Sequence, residues 1–116
     1  MTTSYFSNIS KIKFPISIAG KCPDWYTDAQ YKKLAPKYEW WKEWHDNNLG
    51  DDWYTEKYYS TVLVMLDPKV IYKELFNIYM TDNFTLLCYE SPEKFCHRHL
   101  VAQWFNDNGF SIKELV

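Results

Sequence analysis

Six residues from Phe84 to Tyr89, Phe-Thr-Leu-Leu-Cys-Tyr, form an almost unbroken apolar run. A strand with apolar side chains on both faces belongs in the middle of a covered parallel sheet, so this run predicts the central strand. Residues 14–19, Phe-Pro-Ile-Ser-Ile-Ala, alternate instead, with Phe14, Ile16 and Ile18 on one face and the small Ser17 and Ala19 on the other. Residues 3–9 read as a first strand with the polar Ser7, Asn8 and Ser10 near its exit. Between residue 38 and residue 79 the period changes to three and four. Residues 38–48 predict a helix whose face of Tyr38, Trp41, Trp44 and His45 is expected to turn to the core, leaving Trp40 outside that stripe and exposed. Residues 53–66 predict a second helix, with Tyr58, Tyr59, Val62, Leu63 and Leu66 as its stripe. Asp67-Pro68, a capping residue followed by proline at the first helical position, starts a third helix that runs to Tyr79 on Val70, Ile71, Leu75, Ile78 and Tyr79. After Glu90-Ser91-Pro92 a fourth helix opens around Cys96, His97 and Arg98, carries Leu100, Val101, Trp104 and Phe105 inward, and ends at Asn108-Gly109 before a short strand over 110–115.

Strands separated by helices require crossover connections, which favour a parallel sheet. The expected architecture is α/β: one three-layer, Rossmann-like domain over residues 1–116, with a small, mainly parallel, four-stranded sheet flanked by helices. Composition sharpens this in three ways. A hydrophobic share of 47% excludes disorder, and a 20% aromatic share exceeds what a small core needs, so rings are expected on a binding surface as well. The formal charge of -2 and a pI near 5.9 argue against a broad nucleic-acid face and leave room for a local anion site. No apolar run reaches the roughly 20 residues that span a bilayer, and Met1-Thr2-Thr3-Ser4 is not a secretory start, so a cytoplasmic protein without a membrane contact is expected. Three cysteines, Cys22, Cys88 and Cys96, are an odd number, and free thiols are expected.

Ligands of open α/β sheets bind beyond the carboxyl ends of the strands, where Glu90, Cys96, His97 and Arg98 fall. Cys96 beside a histidine, an arginine and a helix start has the surroundings that lower a thiol pKa; it is the candidate nucleophile, with His97 as base. Arg98 near a helix N-terminus opposes the helix dipole, which suggests an anion or a carboxylate such as Glu90 as its partner. The competing reading is structural: His97 bonded to a backbone carbonyl at the core edge, Cys96 a small buried residue, and Arg98 in an internal ion pair. Cys88 reads as packing. Cys22, in the loop Gly20-Lys21-Cys22-Pro23-Asp24 after the second strand, is either a site residue or a redox partner of Cys96. Cys88, Cys96, His97 and His99 are of metal-ligand type but lack the paired spacing of zinc sites, and no metal is expected. There is no Gly-rich phosphate loop, and no cofactor is implied.

Leu86-Leu87-Cys88-Tyr89-Glu90 followed by Cys96-His97-Arg98-His99-Leu100 resembles the signature of the domain of unknown function 488 family, a strand ending in Cys-x-Glu and a helix opening with Cys-His-Arg. Thr3-Ser4-Tyr5-Phe6-Ser7-Asn8, Pro23-Asp24-Trp25-Tyr26 and Tyr31-Lys32-Lys33-Leu34-Ala35-Pro36 extend the resemblance over nearly the whole chain. It implies a compact α/β sandwich of bacterial or phage origin, with motif positions Ser4, Ser7, Asn8, Cys88, Glu90, Cys96, His97 and Arg98.

Two functions follow as expectations. The first is a site for a small-molecule or nucleotide-like anion formed by Ser7, Asn8, Cys22, Glu90 and Arg98, with Cys96 and His97 as the catalytic pair if there is turnover. The second is a non-enzymatic protein that meets a protein or nucleic-acid partner through Trp25, Trp40 and Trp53. The oligomeric state is not legible.

Overall fold

The computed structural model describes residues 1–115. Its strands are β1 (Thr2–Tyr5), β2 (Pro15–Ser17), β3 (Ala29–Gln30), β4 (Thr85–Cys88) and β5 (Lys113–Glu114). Its helices are α1 (Tyr38–Asp46), α2 (Asp51–Thr61), α3 (Pro68–Tyr79) and α4 (His97–Asp107), with 3-10 turns over Phe6–Lys11, Lys32–Leu34 and Leu63–Met65. Every strand pairing is parallel and the order is β3-β2-β4-β1-β5. The apolar run of the sequence is thus the middle strand, and all four residues of β4 are buried.

The sheet has five strands, not four. The additional one, β3, is two residues long and carries no periodicity of its own; it exists because Ala29 and Gln30 pair with Ile16 and Ser17. The first strand is also shorter than expected. It stops at Tyr5, and residues 6–11 coil into a 3-10 turn that buries Phe6.

Register places Thr3, Leu86 and Ile16 side by side on one face, and Ser4, Leu87 and Ser17 on the other. The first face carries the main core, where Ile16, Ile18 and Leu86 meet Tyr58, Leu75, Val101 and Phe105 from the helices. On the second face Leu87 packs with Phe6, Ala19 and Tyr26, a smaller cluster closed by the first 3-10 turn and the loop after β2. The small side chains of Ser17 and Ala19 let that cover approach closely.

Helix α1 corrects the expected orientation. Trp40 is 7% exposed, stands edge-on to Tyr54 at 4.9 Å between ring centroids, and donates its indole N–H to Thr61 Oγ1 at 2.9 Å. Tyr38, expected inside, is 66% exposed. The helix is short and packs on α2 through its Trp40 side; of the expected stripe, Trp41 and Trp44 are half-buried against the main core, while Tyr38 and His45 are exposed. Helix α2 ends at Thr61, five residues before the expected end, and Val64 and Met65 of the following turn are exposed.

Helix α3 starts as the sequence predicts. Pro68 occupies its first turn, and the Asp67 carboxylate accepts a hydrogen bond from Lys69 N at 2.9 Å. Ile71 and Leu75 are buried, whereas Val70 and Ile78, expected inside, lie on the outer side. Asp67→Ala removes the cap and is expected to cost about 1 kcal/mol in urea unfolding. An unchanged midpoint would show that proline alone starts the helix.

Candidate functional site

Chain direction locates the site before any side chain is considered. From β2 the chain continues to the edge strand β3, and from β4 it continues through α4 to the opposite edge strand β5. The connections therefore diverge between β2 and β4, which leaves a crevice at their carboxyl ends, where ligands of open α/β sheets bind. A cleft of about 1070 Å³ lies there. Its floor is Ala19 and Gly20 from the end of β2, Cys88 from β4, and Cys96 and His97 at the start of α4. Its wall is aromatic, with Tyr38, Trp41 and Trp44 from α1, Tyr54 from α2 and Phe95. Lys21, Lys32, Ala35, Pro36, His45, Tyr89 and Glu90 complete the lining. On α1 the rings form a ladder: Tyr38 stacks on Trp41 at 6.3 Å, and Trp41 on His45 at 5.1 Å with 14° between planes.

At the floor, the sulfurs of Cys88 and Cys96 meet, with 7.2 Å between their Cα atoms, and Cys22 stands apart from them. Cys88 ends the central strand and Cys96 caps the helix that returns over it, so the fold apposes two residues that the cysteine count alone left unpaired. Cys22 pairs with neither; its thiol donates to Ser17 Oγ at 3.1 Å and it packs against the smaller core. The two sulfurs and a His97 ring nitrogen lie within 4.8 Å of one another.

His97 is buried, with one ring nitrogen, Nε2, 2.7 Å from the carbonyl oxygen of Ile18. That carbonyl can only accept, so Nε2 carries the proton and Nδ1, 4.0 Å from Cys96 Sγ, keeps its lone pair. Burial lowers the His97 pKa to about 4, against the pull of the Ile18 carbonyl and with the help of the Arg98 charge. The imidazole is therefore neutral at pH 7. The structural reading of His97, a bond to a backbone carbonyl, and its place in the cleft hold together.

Arg98 is fully buried and does not line the cleft. Its Nε and Nη2 donate to the two carboxylate oxygens of Glu114 at 3.1 and 2.8 Å, its Nη1 donates to Cys88 Sγ at 3.2 Å, and its guanidinium lies 5.9 Å from the centre of the Tyr5 ring. The expected Glu90 pairing gives way to Glu114, because α4 lies across β1 and β4 and Arg98 reaches past β1 to the edge strand β5. Glu90 is exposed at the cleft margin. Ser7 is exposed on the first 3-10 turn, and Asn8 donates to Ser4 Oγ at 3.1 Å, so both lie outside the cleft. His99, expected on a solvated face, is half-buried.

A family model described as the active DUF488-N3 subclade matches residues 10–109. The chain belongs to the DUF488 family. No curated protein and no solved structure matches it. In this DUF488 member the matched span covers the cleft floor and the α1 ladder, and it stops before β5, which supplies Glu114. No helix among the described residues is long and apolar enough to cross a membrane.

Sequence reasoning placed Cys96, His97 and Glu90 in the cleft. It missed the wall: the spacing of Tyr38, Trp41, Trp44 and His45 was visible, but a periodic aromatic face does not say whether its partner is core or ligand. Glu114 carried no local signal, being 16 residues from Arg98.

Proposed function

We propose that the cleft binds a small, planar, anionic ligand of the nucleotide class, and that Cys96, once reduced, is its reactive group. The observation that carries this is the stacked ladder of Tyr38, Trp41 and His45 facing the crevice at the strand ends. These rings line a cavity of ligand size, and Tyr38, 66% exposed and stacked on Trp41 through one face, offers its other face to a flat ring. Lys21 and Lys32 at the margin supply cationic groups for an acidic substituent. Arg98 serves this site from beneath, by holding α4 and the Cys88 sulfur, and not by touching the ligand.

The neutral His97 shapes the chemistry. Its low pKa disfavours a resting thiolate–imidazolium pair, so a Cys96 thiol gives its proton to Nδ1 as it attacks and not beforehand. The partner-docking alternative finds less support. Trp25 is 55% exposed, but Trp40 is buried and Trp53 is half-buried.

Titration of the reduced protein with adenosine monophosphate, followed by tryptophan fluorescence, tests the reading. Quenching that saturates is expected, and Tyr38→Ala is expected to raise Kd about 5- to 150-fold, the equivalent of roughly 1–3 kcal/mol per stacked ring. Adenosine should bind more weakly than its monophosphate. Fluorescence unmoved by the nucleotide, or isotherms identical in Tyr38→Ala, would remove the proposal.

A further inference from the structure

The adjacent sulfurs of Cys88 and Cys96 sit in unlike surroundings. Cys88 belongs to the same floor but is only 1% exposed, and it receives an N–H from Arg98 at 3.2 Å. Cys96 is 7% exposed, lines the cleft, and has the unprotonated Nδ1 of His97 as its neighbour at 4.0 Å. Thiol–disulfide exchange needs this kind of asymmetry: one sulfur within reach of an incoming thiolate, and a second that leaves readily because its negative charge is stabilised. A hydrogen bond from a guanidinium stabilises a thiolate more than a thiol, so Cys88 is the better leaving group.

We infer that Cys88 and Cys96 form a thiol–disulfide exchange centre whose substrate is a low-molecular-weight thiol entering the cleft. A thiolate attacks Cys96 Sγ and forms a mixed disulfide; the Cys88–Cys96 bond breaks, and its electron pair leaves on Cys88 against Arg98. A second thiolate attacks the sulfur of the bound small molecule and releases Cys96. Two thiols are thereby oxidised to their disulfide and the protein pair takes up two electrons. Of the two protons the thiols lose, one goes to Cys96 and the other to solvent while Cys88 remains a thiolate. The reverse sequence closes the pair with an oxidised small-molecule disulfide. Because Cys96 is the reactive group of the proposed ligand site, the same bond switches that site off. The exchange does not depend on the ligand reading, and its test contains no nucleotide.

Glutathione is the probe, and Cys22→Ala in every sample removes the remaining free thiol. The reduced protein is mixed with oxidised glutathione, quenched by acid at intervals and read by peptide mass spectrometry. The expected sequence is a transient glutathione adduct on Cys96 alone, followed by the Cys88–Cys96 disulfide. With Cys88→Ser the adduct on Cys96 should accumulate to near completion. With Cys96→Ser the buried Cys88 should react at least about tenfold more slowly, in keeping with its burial. If Cys88→Ser does not fold, the timed adduct in the Cys22→Ala protein carries the same test. Adducts on Cys88 as fast as on Cys96, a reduced pair that oxidised glutathione leaves unchanged, or a zinc ion held by the reduced protein that blocks both thiols would each overturn the inference.

Discussion

Arg98→Met lowers the free energy of unfolding by about 3–5 kcal/mol, the cost of breaking a buried ion pair by removing one partner. The side chain is fully buried, and it ties α4 to β4 and β5 at once, through two hydrogen bonds to Glu114 and one to Cys88. Methionine fills much of the volume but leaves the Glu114 carboxylate, 22% exposed, with Thr3 as its remaining donor at 2.6 Å. The pair also gives stability a pH dependence. Burial alone would raise the Glu114 pKa, but hydrogen bonds from Arg98 and Thr3 and the Arg98 charge outweigh it and hold the carboxyl below 4.5. A carboxyl depressed in the folded state stabilises above its unfolded pKa, and that contribution is lost as pH falls below about 4.5 toward the folded value. Arg98→Met should therefore flatten the acid limb below pH 4.5. Urea unfolding at pH 7 and pH 4 checks both effects; a loss under about 1 kcal/mol would mean that Glu114 finds water as readily as it finds Arg98.

His97 produces a second acid transition, higher in pH. A histidine whose pKa falls from 6.5 unfolded to about 4 folded binds its proton more readily in the unfolded chain. Its stabilising effect is complete above pH 6.5 and is lost progressively as pH falls toward 4. The full difference is about 3 kcal/mol, from 1.36 kcal/mol per pKa unit. The stability of the native protein should thus fall by roughly that amount between pH 7 and pH 4, within the order of magnitude of such linkages. His97→Gln keeps a donor for the Ile18 carbonyl and cannot titrate. It should be less stable at pH 7, through poorer packing against Tyr58, and should lose less stability than the parent over this interval, the remainder coming from His99, whose pKa burial also lowers, and from Glu114. A variant as acid-sensitive as the parent would place the titrating group elsewhere.

Much of the architecture was legible in residue order. The run at 84–89 had to be a central strand because both of its faces are apolar, and Asp67-Pro68 had to start a helix because it solves the capping problem within two residues. The Cys96-His97-Arg98 helix start had to fall at the carboxyl edge of the sheet because β4 leads into it directly. Local chemistry settles such features. The errors share a different origin. Trp40 turns inward and Tyr38 outward because α1, only nine residues long, is oriented by whichever side docks on α2. Two apolar sides compete on such a helix, and its own periodicity cannot rank them.

The sequence by itself determined a parallel α/β fold, the position of its middle strand, and the edge at which Glu90, Cys96 and His97 would gather. Only the tertiary structure decided the partners. Cys88 meets Cys96, Arg98 meets Glu114, and His97 meets Ile18 across 8, 16 and 79 residues. The reason is physical: strand and helix patterns are written in contacts three or four residues apart, whereas a buried charge or sulfur takes whichever group the closed sheet brings within about 3 Å. That placement depends on how β5 and the end of β2 lie against α4, which no local pattern encodes.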